Sequence, residues 1–199
     1  MRRIGIFGGT FDPPHSGHID VAKAAADSFA LSEVWWTPVG RQPLKTTPPQ
    51  AFYSQRLAMV RMVCEADYRF VASGADAPRG DGQPNFTIDL LQTLHGENPG
   101  CSWWNIVGAD SFLDLPRWKY PDQLLNFAQW IVVSRPGFDL SRIDAMGLTS
   151  AQQSRVHLLT DIEEPISATD LRDALKRGEH PAAVPPPVLR YIEEHGLYR

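Results

Sequence analysis

Residues able to handle an anion are concentrated in Gly8-Gly9-Thr10-Phe11-Asp12-Pro13-Pro14-His15-Ser16-Gly17-His18. The string follows a short apolar run, Ile4-Gly5-Ile6-Phe7, and precedes a helix-like run from Ile19 to Phe29. A strand feeding a glycine turn and then a helix can hold a phosphate. Glycine lets the backbone approach the ligand, and the helix N-terminus presents unpaired N–H groups to it. His15 and His18 are three apart and share one helical face at that mouth. Side-chain donors placed beside backbone donors point to nucleotide chemistry rather than simple binding. The glycine pair alone would be weak evidence, since many tight strand-to-helix turns need one. The complete string is specific.

A second string, Ile166-Ser167-Ala168-Thr169-Asp170-Leu171-Arg172, lies far along the chain. As local structure it reads as a capping box, with Ser167 as N-cap and Asp170 three residues on. As a site it gathers hydroxyls, N–H groups and a guanidinium at a helix start, which suits β- and γ-phosphates. Lys45 lies in a polar, proline-rich loop from Gly40 to Gln50, where a lysine is ordinarily solvated. Asn85 and Phe86 read as a helix cap and a core aromatic, or as part of a ligand pocket. Trp118 is either a core residue or a platform for a planar ring. Asp110 reads as a helix cap.

Strand-like and helix-like segments alternate around these strings. Strands are expected at Ile4–Phe7, Glu33–Val39, Tyr68–Ser73, Trp103–Val107, Gln129–Ser134 and Val156–Leu159. Helices are expected at Ile19–Phe29, with Ile19, Ala22, Ala26 and Phe29 on one face, and at Tyr53–Ala66, with a Leu57, Val60 and Cys64 stripe. Further helices are expected at Thr87–His95, in short pieces between Phe112 and Leu125, at Thr169–Arg177 before Gly178, and at Val188–His195 after a His180–Pro187 linker. This alternation predicts an α/β protein with a doubly wound parallel sheet. Ligands in such sheets bind beyond the carboxyl ends of the strands. Gly8–His18, Gly108–Asp110 and Arg135–Gly137 all fall at those ends.

The chain has 199 residues, 43% of them hydrophobic, which suits one globular domain, or one domain with a small appended lobe. No apolar stretch is long enough to span a membrane. The N-terminus lacks the apolar segment and cleavage site of a secretory signal. Cys64 and Cys101 are far apart and outside any CxxC, so a reduced, cytoplasmic protein without structural zinc is expected. The net charge of −4 argues against a broad nucleic-acid surface. A phosphate site must then be made locally, from helix ends and a few placed cations. Neither composition nor spacing sets an oligomeric state. An oxidoreductase binding a dinucleotide would want G-x-G-x-x-G after the first strand, which Gly8-Gly9-Thr10-Phe11-Asp12-Pro13 does not supply.

His15-Ser16-Gly17-His18 resembles the (T/H)xGH signature of the nucleotidyltransferase superfamily, and Gly8 to Pro13 resembles its adenylyltransferase branch. Ile166 to Arg172 resembles the ISxTxxR motif of the same superfamily, with Ala168 where many relatives carry a hydroxyl. The ending from Val188 to Tyr198 resembles that of bacterial nicotinate-mononucleotide adenylyltransferases. Phosphopantetheine adenylyltransferases share the first motif but are usually shorter and lack this tail. The resemblance spans nearly the whole chain.

It implies a Rossmann-like nucleotidyltransferase fold over residues 1–199, with a C-terminal helical part from about 166. It implies adenylyl transfer from ATP to nicotinate mononucleotide, with magnesium accompanying ATP and no protein metal ligand. His18, His15, Lys45 and Arg172 would be catalytic. Gly8, Gly9, Thr10, Phe11, Gly17, Gly108, Asp110, Arg135, Ser167 and Thr169 would bind ATP or its phosphates. Phe86, Thr87 and Trp118 would hold the pyridine nucleotide. The family's loop commonly reads Asn-Pro-Pro-His-Lys, whereas this one reads Arg41-Gln42-Pro43-Leu44-Lys45, so a histidine is missing there. A non-catalytic nucleotide-binding regulator on the same fold is the main rival. The number of cations gathered at the phosphates argues against it.

Overall fold

The computed structural model describes residues 1–134, 139, 141–160, 162 and 166–199. Six strands form one sheet in the order β3-β2-β1-β4-β5-β6. They are β1 (Arg2–Gly9), β2 (Glu33–Pro38), β3 (Phe70–Ala72), β4 (Cys101–Gly108), β5 (Gln129–Val133) and β6 (Val156–Leu159). Every pairing is parallel. Parallel strands need helical crossovers, which cover both faces of the sheet.

Alternating side chains divide the core accordingly. Phe7, Val34, Trp36, Trp104, Ile106 and Ile131 meet helices α1 (Ser16–Ser28), α2 (Tyr53–Cys64), α8 (Ala168–Lys176) and α9 (Pro186–Glu194). Ile4, Ile6, Trp130 and Val132 meet α3 (Thr87–Glu97), α4 (Ala109–Leu113) and α5 (Pro121–Phe127) on the other face. The period-two alternation is visible within β1 and β5 themselves. Two short helices, α6 (Ser141–Asp144) and α7 (Ser150–Gln153), precede β6. No helix among the described residues is long and apolar enough to cross a membrane.

The structure revises three local expectations. Helix α2 buries Arg56, Met59, Val60 and Val63 rather than a Leu57–Val60–Cys64 stripe. Asn85 does not cap α3; Phe86 holds the cap position with no side-chain bond. Helix α9 begins at Pro186 inside the expected linker, because proline is tolerated in the first helical turn, where its missing N–H costs nothing.

Sheet register explains where a cleft opens. β1 pairs with β2 as far as Gly9↔Pro38, but with β4 only as far as Phe7↔Ile106. β4 meanwhile continues to Gly108 against β5. Beyond Phe7 the two central strands therefore part, at the point where strand order reverses direction. That is the switch-point crevice of a doubly wound sheet.

Candidate active site

A cavity of about 170 Å³ occupies this crevice. Ile6, Gly8 and Gly9 line it from β1, and Asn105, Ile106 and Val107 from β4. A Cβ on Gly8 would meet nothing within 4 Å, so its backbone faces open space. Phe86, Thr87 and Trp118 line the same cavity, so the structure brings the three expected pyridine-nucleotide residues together. Trp118 also packs toward Trp130, with ring centroids 6.1 Å apart, so it is anchored on the core while facing the cavity. Asp76 and Lys119, not anticipated from the sequence, complete the wall. Burial pushes the Asp76 carboxyl up to about 7.

The rim is built by side-chain ties between loops. Asn85 accepts a hydrogen bond from Arg41 N at 2.9 Å and donates to the carbonyls of Asp76 and Ala77 at 3.2 and 2.8 Å. Gly40 N donates to Asp76 O at 2.8 Å. A Cβ on Gly40 would lie 2.5 Å from Pro78 N, so only glycine permits this approach.

Next to the cavity, residues 10–12 are clamped by three cations. Lys45 Nζ donates to Thr10 Oγ1 at 3.0 Å. Arg56, 1% exposed, donates to Thr10 O at 2.7 Å and Val39 O at 2.9 Å. Arg172 donates to Asp12 O at 2.8 Å and to Thr169 Oγ1 at 3.1 Å. Burial and the neighbouring Arg172 and Arg56 lower the Lys45 pKa, with Asp12 opposing them. Lys45, Arg56 and Arg172 thus gather positive charge around residues 10–12. Arg56 escaped the sequence reading. Its signal was an arginine spaced i, i+3, i+4, i+7 with Met59, Val60 and Val63.

His15 caps α1 and is buried. Its N–H donates to His18 Nδ1 at 3.3 Å, and the two rings lie 3.7 Å apart. Phe7, Phe11 and Trp36 surround the His18 ring at 5.9, 5.1 and 6.4 Å. Burial holds His15 at about 4 instead of 6.5, and burial together with His15 pushes His18 well below 6.5. Both rings are therefore neutral near pH 7, which corrects their place among the site's cations. Because His18 Nδ1 accepts, its proton sits on Nε2, leaving an N–H donor.

Gly17 lets the two motifs meet. A Cβ there would sit 3.3 Å from both His15 Nδ1 and Ile166 Cδ1. Ser167 caps α8, accepting from Asp170 N at 3.3 Å, as its motif predicts. Phe11 adopts a left-handed φ of 51° and buries its ring under Gly9. Gly108 caps α4 and Asp110 occupies its first turn; both stand at the carboxyl end of β4, outside the cavity wall. Arg135 lies outside the described residues. No group of three or more His, Cys, Asp or Glu among the described residues could hold a metal ion.

Comparison with known proteins gives the same picture. The cytidylyltransferase-like family model matches residues 6–174. A Gloeobacter violaceus protein named "probable nicotinate-nucleotide adenylyltransferase" is 36% identical, covering 98% of this chain and 96% of its own. One of the same name from Leifsonia xyli is 39% identical, covering 99% and 94%. Among solved structures, the Plasmodium falciparum nicotinic acid mononucleotide adenylyltransferase complexed with NaAD matches with a TM-score of 0.79 at 18% identity, covering 100% of this chain and 98% of its own. That last likeness carries the fold alone. Signature strings, switch-point cavity and full-length relatives thus agree, and the chain belongs to the nicotinate-nucleotide adenylyltransferases of the cytidylyltransferase-like family.

Proposed function

We propose that this protein transfers the adenylyl group of ATP to nicotinate mononucleotide, giving deamido-NAD and pyrophosphate, as one catalytic domain acting in the cytoplasm. One observation carries the reading. An aromatic-walled cavity adjoins, through Gly9 and Thr10, a cation cluster suited to a triphosphate. Two unlike ligands would therefore meet at the carboxyl end of β1.

In the reaction a phosphate oxygen of the mononucleotide attacks the α-phosphorus of ATP. A P–O bond forms there, the bond to the β-phosphate oxygen breaks, and pyrophosphate leaves with that electron pair. The attacking oxygen is already anionic near neutral pH, so no strong base is required. Catalysis rests on alignment and on stabilising charge. His18, with its Nε2 proton, would donate to the α-phosphate. Phe7, Phe11 and Trp36 pack around its ring and fix its orientation. Lys45 and Arg172 would neutralise the departing pyrophosphate, with Thr10, Ser167 and Thr169 adding hydroxyl donors. Thr87 and the adjacent backbone would receive the pyridine carboxylate, and Trp118 would support the ring.

Magnesium would enter with ATP as part of the substrate, held by phosphates and water. The residues here fit that role, because Asp12, the acid nearest the cluster, already has its carboxylate occupied by three donors. The deciding experiment measures magnesium-dependent pyrophosphate release from ATP, with nicotinate mononucleotide, nicotinamide mononucleotide and phosphopantetheine offered separately. Strong preference for the first is expected. ATP binding without release for any acceptor would favour a regulator instead.

A further inference from the structure

We infer that Tyr198 is a positioning residue for the phosphate cluster, acting through Asp12 on the loop that carries Lys45. The Tyr198 hydroxyl donates to Asp12 Oδ1 at 2.7 Å across 186 residues of sequence. The same carboxylate accepts from Gln50 N at 2.8 Å and Ala51 N at 3.1 Å. These two amides end the Gly40–Gln50 loop. Its other end is held by the Gly40 and Arg41 bonds to Asp76 and Asn85. Lys45 lies between the two anchors and reaches Thr10, two residues before Asp12. Asp12 therefore couples the C-terminal tail, the lysine loop and the Thr10–Asp12 backbone that Arg172 also grips.

The tail is shaped for this contact. Leu197 N returns to Ile192 O at 3.0 Å, and Gly196 and Tyr198 adopt left-handed φ angles of 61° and 58°. Glycine takes that conformation readily, but a tyrosine rarely does. The turn buries the ring to 5% exposure and aims the hydroxyl at a buried acid. Packing alone would be served equally by phenylalanine. A hydroxyl matters only if Asp12 needs its third donor, since a buried carboxylate short of a partner is costly and shifts to find one. Ala51 shares Oδ1 with Tyr198, so a reoriented carboxylate loosens that anchor directly.

The test rests on the adenylyl-transfer reading for one arm only. In the full-length protein, Tyr198→Phe should speed amide exchange at Gln50 and Ala51 by about tenfold. It should lower kcat by about tenfold while leaving KM for nicotinate mononucleotide unchanged. Val188→Ala serves as a packing control in the same core. It should lower the thermal midpoint without changing exchange at those two amides or kcat. Unchanged exchange in Tyr198→Phe would overturn the inference, as would an equal effect from Val188→Ala. If the unaltered protein shows no turnover, the activity reading fails separately and the exchange arm still decides the tyrosine's role.

Discussion

At the scale of single residues, the site depends on protonation states that only packing can set. Burial and the neighbouring His15 push the His18 pKa well below 6.5, which favours its neutral ring. His18→Ala should lower kcat by about 10²-fold or more, the loss typical of one preorganised donor, with the fold retained. Steady-state kinetics beside a circular dichroism spectrum check this, and near-normal turnover would remove His18 from the chemistry. Trp118 lines the switch-point cavity, here proposed to take the pyridine nucleotide, and not the cation cluster. Trp118→Ala should therefore raise KM for nicotinate mononucleotide and spare KM for ATP. Equal loss for both substrates would reduce Trp118 to a core residue supporting the fold through Trp130. The residue types at the cleft were legible in the sequence, and the structure places Phe86, Thr87 and Trp118 on one cavity. Arg56 was not, because an arginine inside a helix reads as exposed until the backbone carbonyls of Thr10 and Val39 are found beside it.

At the scale of elements, the loops after β2 and β3 act as one unit. Asn85 and the close approach at Gly40 fasten them. Asn85→Ala leaves Arg41 N and the Ala77 carbonyl without their partner and should destabilise the protein by about 1–3 kcal/mol, measured by urea denaturation. It should also weaken substrate binding, because the same loops line the cavity. A change below measurement error would mean that the loops are held by other contacts. The strings at Gly8–His18 and Ser167–Arg172 were readable as a turn and a cap. Their meeting rests on the Arg172 bond to Asp12 O and on the close approach of Ile166 to Gly17, contacts between segments remote in sequence.

At the scale of the whole molecule, the buried His15 and the half-buried Asp76 bias stability in opposite directions. His15 has a depressed pKa of about 4 against 6.5, so the unfolded chain binds its proton first and stability is lost as pH falls through that interval. Asp76 has a raised pKa of about 7 against 3.8, so the folded chain keeps its proton longer and stability is lost as pH rises between those values. Asp76→Asn removes the second effect and leaves the first. The gain in urea midpoint from pH 4.5 to 6.5 should therefore be larger in Asp76→Asn than in the unaltered protein. An identical gain in both would show that Asp76 is solvated in the folded state.

The features legible in the residues alone are local: a glycine turn between strand and helix, a serine cap, and alternation that demands a parallel sheet with two covered faces. Each follows from backbone geometry and side-chain periodicity within a few residues. The tertiary structure decided the rest. It parted β1 from β4 beyond Phe7, made both histidines neutral, turned Asn85 from a cap into a tie, and gave Asp12 donors from Gln50, Ala51 and Tyr198. Burial and hydrogen-bond satisfaction are sums over neighbours, and these neighbours come from distant parts of the chain.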